Sequence, residues 1–66
     1  MTLAKIYELI EKGVLKKHHT ATHPGYVRTN EEQILVYRGR FGNGYKVLEH
    51  NYISNRYCIV TYFTEV

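Results

Sequence analysis

Apolar residues at Leu3, Ile6, Tyr7, Ile10 and Val14 recur at three- and four-residue steps, the spacing that lines one stripe of an amphipathic helix. Thr2 stands where an N-cap belongs, Glu8 and Lys12 make a favourable i,i+4 pair, and Gly13 offers the left-handed position at which helices end. The pattern predicts a helix over residues 3–12, with Val14 folding back on its last turn.

Residues 18–30 have no helical period, and Pro24-Gly25 fits the central pair of a type II turn. The expectation there is a loop, with short strand pieces at residues 14–18 and 26–28.

From Gln33 onward the pattern is β-like. Ile34, Leu35, Val36 and Tyr37 form a run rich in strand-forming residues, and Gly42-Asn43-Gly44 follows as the strongest hairpin signal in the chain. With Asn43-Gly44 as the central turn pair, Arg38 falls opposite Glu49 and Leu35 opposite Tyr52. A second turn at Ser54-Asn55 sets Tyr52 opposite Tyr57 and Asn51 opposite Cys58, so that opposite charges and aromatic rings meet across strands.

This register divides the sheet into two faces. One carries Leu35, Tyr37, Phe41, Leu48, Tyr52, Tyr57, Ile59 and Phe63, and is expected to receive the helix. The other carries Ile34, Val36, Val47, Ile53, Cys58, Val60 and Tyr62 among Arg38, Arg40, Glu49, Asn51 and Arg56. One short helix cannot cover both faces. A slip of one residue would exchange the faces of a strand. The fold class is therefore α+β: one N-terminal helix packed on an antiparallel β-meander of three strands, or four where residues 14–18 or 26–28 join.

Sixty-six residues make a single domain, and a core of that size yields a net stability of only about 3–5 kcal/mol. Self-association is a natural supplement, and the long proline-free segment 56–66 is expected to serve as an exposed edge for it. A lone cysteine, Cys58, cannot form an internal disulfide or a cysteine-rich zinc site, which points to a reducing compartment. Charges interrupt every apolar run near the N-terminus before it reaches signal or membrane-spanning length, so a soluble cytoplasmic chain without membrane partners is expected.

The net charge of +3 is mild and dispersed. Four histidines, a residue type that ordinarily titrates near pH 6.5, would raise it to +7 on full protonation. Aspartate and tryptophan are absent while tyrosine occurs seven times. Without aspartate, triads, magnesium sites and EF-hand loops lose their commonest carboxylate, and no catalytic or cofactor-binding signature takes its place. No enzyme and no cofactor is expected.

His18, His19 and His23 suggest a metal site, but an extended chain sets His19 and His23 roughly 13 Å apart, and Lys16 and Lys17 repel a cation. They read as a solvated basic loop. Gly39, Gly42 and Gly44 surround a hairpin turn rather than open a helix, which argues against a phosphate cradle. Cys58, in the densest apolar segment, reads as an inert hydrophobe, and Glu31-Glu32 as a solvated turn.

The second sheet face is the best candidate for function. An apolar centre rimmed by arginines resembles an interface, because arginine and tyrosine are enriched there. The expected role is a small non-catalytic binding protein, accessory or inhibitor-like, acting on a protein partner through Arg38, Arg40, Arg56 and Tyr62 around Val36 and Val60, with a homodimer as a further mode. The plan of one helix and a meander is shared by many small accessory and phage-encoded regulators, an analogy of fold alone. The alternative is single-stranded nucleic acid, for which Lys16, Lys17, Arg28, Arg38, Arg40, Lys46 and Arg56 would meet phosphates. Tyr26, Tyr37, Tyr45, Tyr57 and Tyr62 would stack bases. A third possibility for the surplus face is that residues 14–30 simply cover it.

Overall fold

In the computed structural model of the chain, which describes residues 1–25, 33–51, 53 and 56–66, Thr2 opens a helix α1 (Leu3–Glu11) by accepting a hydrogen bond from the Lys5 amide at 3.3 Å. The helix ends as its sequence dictates. Gly13 has φ +76°, its amide donates to the Ile10 carbonyl, and the Val14 amide reaches back to Leu9, the two bonds of a Schellman motif. On the solvent side Lys12 lies 2.8 Å and Lys5 3.6 Å from the Glu8 carboxylate. The Lys12 hydrogen bond and the Lys5 charge hold that carboxyl below its ordinary range.

Four antiparallel strands follow: β1 (Leu15–Pro24), β2 (Gln33–Gly39), β3 (Gly42–His50) and β4 (Tyr57–Glu65). Their order across the sheet is β1-β4-β3-β2, so β2, β3 and β4 form the meander and β1 adds outside β4. The α+β plan read from the sequence is the observed one. Among the described residues, no helix is long and apolar enough to cross a membrane.

Residues 18–24, expected in a loop, are strand. The fourth strand is ten residues long and pairs with β4 from Leu15–Glu65 to Pro24–Tyr57. The reason is local: Thr20 and Thr22 are β-branched and alternate with Ala21 and His23, a period-two pattern that suits a pleated strand. Gly25 then takes φ +111° and donates its amide to the Arg56 carbonyl. The segment expected at 26–28 and the carboxylates Glu31 and Glu32 lie outside the described residues. The addition of β1 also moves β4 to the interior of the sheet, so 56–66 is not the exposed edge that its sequence suggests. Among the described residues, the edges are β1 and β2.

The first hairpin turns earlier than expected. Gly39 pairs with Gly42 around Arg40 and Phe41, which places Arg38 opposite Asn43 and Leu35 opposite Lys46. Gly42, directly after the two turn residues, adopts φ +118°, a backbone that favours glycine. Asn43-Gly44 instead belongs to β3. There a side chain on Gly44 would run into the Phe63 carbonyl oxygen and come within 2.8 Å of the Thr64 Cα, so the glycine serves close strand approach rather than a turn.

The second register differs by one residue: His50, not Asn51, faces Cys58. The hairpin shift leaves β2 and β3 on matching faces, whereas this slip exchanges both relative to β4. The face under the helix carries Ile34, Val36, Tyr45, Val47, Ile59, Thr61 and Phe63. The opposite face carries Leu35, Tyr37, Lys46, Leu48, Cys58, Val60 and Tyr62. Placement of Ile59 and Phe63 beneath the helix was legible in the sequence; placement of Leu35, Tyr37, Phe41 and Leu48 there is overturned.

Ile6, Leu15, Val47 and Phe63 form the buried centre, with Leu3, Leu9, Ile10, Ile34 and Tyr45 packed around them. Tyr7, expected in the helix stripe, is 54% exposed, and Leu9 takes that role instead. A nine-residue helix is only about 13 Å long. It reaches the middle strands and leaves Val36 65% exposed at the margin.

Candidate binding face

The side of the sheet away from α1 has its own small apolar floor, in which Cys58 and Val60 are buried and Leu48 and Tyr62 pack against them. Cys58 is a free, buried thiol, as its apolar neighbours predict. Above this floor stands a row of rings, and a defect in β1 builds it. Lys17 pairs with Phe63, but the next pair is His19 with Tyr62, so His18 is an extra residue in a β-bulge. The bulge reverses the alternation. Lys17 stays on the helix side, whereas His19, Ala21 and His23 turn to the open side, where an unbroken strand would not put them.

Tyr62 is the centre of the cluster. His19 stacks on it at 4.6 Å between ring centroids with an interplanar angle of 19°, and Tyr37 meets it edge-on at 4.9 Å. Its hydroxyl lies 3.3 Å from His23 Nε2, so two histidines four residues apart on β1 meet one tyrosine, His19 at the ring and His23 at the hydroxyl. Phe41, carried in from the hairpin turn, packs on both His18 at 4.6 Å and His19 at 4.9 Å. The Nδ1 atoms of His18 and His19 face each other at 2.7 Å, a hydrogen bond that requires a proton on one nitrogen and none on the other. Gly39 leaves space for the Tyr37 ring: a Cβ there would lie 2.8 Å from the Tyr37 hydroxyl, which accepts a hydrogen bond from the Phe41 amide.

Cations occur on both sides of the sheet, but the described glutamates are confined to one. Lys46 lies directly across from Tyr62, Lys16 pairs with Thr64, and His50 pairs with Cys58, all on the open side. The acids are elsewhere: Glu49 faces Ile59, Glu65 faces Leu15, and Glu8 and Glu11 belong to α1. Among the described residues, the open face carries all four histidines of the chain, two lysines, two tyrosines and one phenylalanine, and no carboxylate. Beside Tyr62, a depression of about 240 Å³ lined by His23, Lys46, Leu48, Cys58 and Val60 gives the surface relief.

The residues singled out from the sequence do not form one site. Val60 and Tyr62 lie on the open face, but Val60 is part of its buried floor. Val36 and Arg38 project from the helix side of β2, Arg40 sits in the hairpin turn, and Arg56 precedes β4 at the opposite end of the sheet beside Gly25. The slip between β3 and β4 is what parts Val36 and Arg38 from Val60 and Tyr62. Of the residues proposed for nucleic acid, Lys16, Lys46, Tyr37 and Tyr62 come together on the open face, whereas Lys17, Tyr45 and Tyr57 lie on the other side. Tyr26 and Arg28 lie outside the described residues. His18, His19, His23 and Phe41 were missed as members of a shared surface. The Thr-Ala-Thr alternation after His19 was the available signal for a strand, but nothing in the sequence marks the bulge.

No three metal-ligating side chains converge among the described residues. No protein-family model, curated protein or solved structure was found to match the chain.

Proposed function

We propose that this protein is a non-catalytic binding module whose open sheet face takes single-stranded nucleic acid. The observation that carries the reading is the company the rings keep: histidine, tyrosine and phenylalanine rings share a surface with Lys16 and Lys46, and every described glutamate is on the other side. Cations and polarisable rings together suit a ligand that alternates phosphates with flat bases, and among the described residues no glutamate on that face opposes such a ligand. Three of the histidines, His18, His19 and His23, sit against aromatic rings or one another, which makes them part of the ring-bearing surface itself. A cytoplasmic setting belongs to the same proposal, on the strength of the single buried thiol.

The protein-partner reading leaned on an apolar centre rimmed by Arg38, Arg40 and Arg56. With Arg38 on the helix side and Arg40 and Arg56 at opposite ends of the sheet, that rim does not assemble around one centre, and the protein partner becomes an outcome of the experiment. Fluorescence anisotropy with a short mixed-sequence single-stranded oligonucleotide, titrated across salt concentration, tests the proposal. Two lysine–phosphate contacts predict a slope of log affinity against log salt of about −1.4 or steeper. Lys46→Glu should reduce binding at least tenfold with the far-UV spectrum unchanged. Failure to bind at low salt, or binding indifferent to salt and to Lys46→Glu, would return the face to a protein partner.

A further inference from the structure

The two edges of the sheet are built differently. β1 carries Lys16 and Lys17, is broken by the bulge at His18 and ends in Pro24, which are all features that discourage another strand from pairing. β2 has none of them. It pairs with β3 from Gln33–Leu48 to Gly39–Gly42 without a register shift, contains no lysine or proline, and presents Ile34, Leu35, Val36 and Tyr37 in succession. Among the described residues no strand pairs with its outer side, and its apolar side chains are exposed on both faces: Leu35 by 44% on the open side and Val36 by 65% on the helix side.

We infer that β2 is a homodimerisation edge, pairing antiparallel with β2 of a second copy about a two-fold axis perpendicular to the sheet. Such an axis makes the contact self-complementary and closed. It also restricts the register, because residues directly opposite must belong to the same face. Centred on Val36, the pairing sets Val36 against its own twin and Leu35 against Tyr37 of the second copy, apolar against apolar on each face. Arg38 is the only charged residue of the strand. In this register it faces Ile34 of the second copy, and the two arginines stand four residues apart, roughly 13 Å. That exceeds the screening length of about 8 Å at physiological salt, so their repulsion does not oppose the contact.

The consequence is an eight-stranded sheet with both helices on one side and both open faces joined on the other. The inference stands apart from the nucleic-acid reading, because it concerns the edge and needs no ligand.

Sedimentation velocity over about 10 µM to 1 mM, without oligonucleotide, tests it. Expected is a concentration-dependent shift of the 7.8 kDa chain toward twice its mass, persisting at high salt and abolished by Val36→Lys but not by Thr22→Lys on the opposite edge. If Val36→Lys fails to fold, amide exchange of the wild-type protein decides: protection of β2 must rise with concentration. A monomer throughout, a dimer that survives Val36→Lys in folded protein, or β2 protection independent of concentration would overturn it.

Discussion

Thr64 is 1% exposed and its hydroxyl has no hydrogen-bond partner among the described residues. A buried polar group left unpaired costs about 1–3 kcal/mol, more than most intact hydrogen bonds contribute. Thr64→Val keeps the shape and removes the unpaired hydroxyl, so it should raise stability by about 1 kcal/mol, read from the urea unfolding midpoint at constant slope. A lowered midpoint would mean that the hydroxyl is hydrogen-bonded in the folded protein. Thr61, on the helix side, is the contrast: its hydroxyl lies 3.2 Å from that of Thr20, and the same substitution there would strand a partner. Two glycines act at the same scale by omission. Gly44 lets β3 approach β4, and Gly39 leaves room for the ring of Tyr37.

At the scale of elements, α1 is the part whose sequence and structure agree most closely. Its cap at Thr2, its stop at Gly13 and its Glu8–Lys12 pair were all legible, because each depends on residues within one turn of each other. The Glu8 pair makes a testable contribution. Its carboxyl titrates below the ordinary range because Lys12 and Lys5 favour the charged form, so the folded state binds this proton less readily than the unfolded state. The stabilisation is therefore present at neutral pH and lost as pH falls through the carboxylate range. Glu8→Gln should be slightly less stable than wild type at pH 7, and their thermal midpoints should converge in acid; a gap that widens in acid would contradict this.

The sheet was legible in kind and wrong in register. Strand composition and the glycines were sufficient to predict a meander, but Gly42-Asn43-Gly44 offers two turn positions to local rules. The close approach of Phe63 to Gly44, which decides between them, is a contact between residues nineteen positions apart in the sequence. The slip at the second turn carried the larger penalty, since a one-residue error exchanges faces whereas the hairpin error, an even number of residues, did not. The candidate site was hidden for the same reason. Tyr37, Lys46 and Tyr62 were each singled out from the sequence, but they meet His18, His19 and His23 only through the bulge in β1 and the register of β4.

For the whole molecule, the asymmetry of the sheet matters most. One face is closed by a helix that fully buries a single residue of its own, Ile6, and the other is left to a ring cluster over a small apolar floor of Cys58 and Val60. Such a division gives a small core, and pairing through β2 would add to it. It also leaves a cationic, ring-bearing surface on the side opposite every described glutamate, suited to a single strand of nucleic acid. The measurement that tests it most directly is a ¹H–¹⁵N shift titration with a short mixed-sequence single-stranded oligonucleotide at low salt, repeated at high salt. Expected are shifts concentrated at His19, His23, Tyr37, Lys46 and Tyr62 that fade as salt rises. Shifts confined to α1, Val36 and Arg38, or none at low salt, would contradict it.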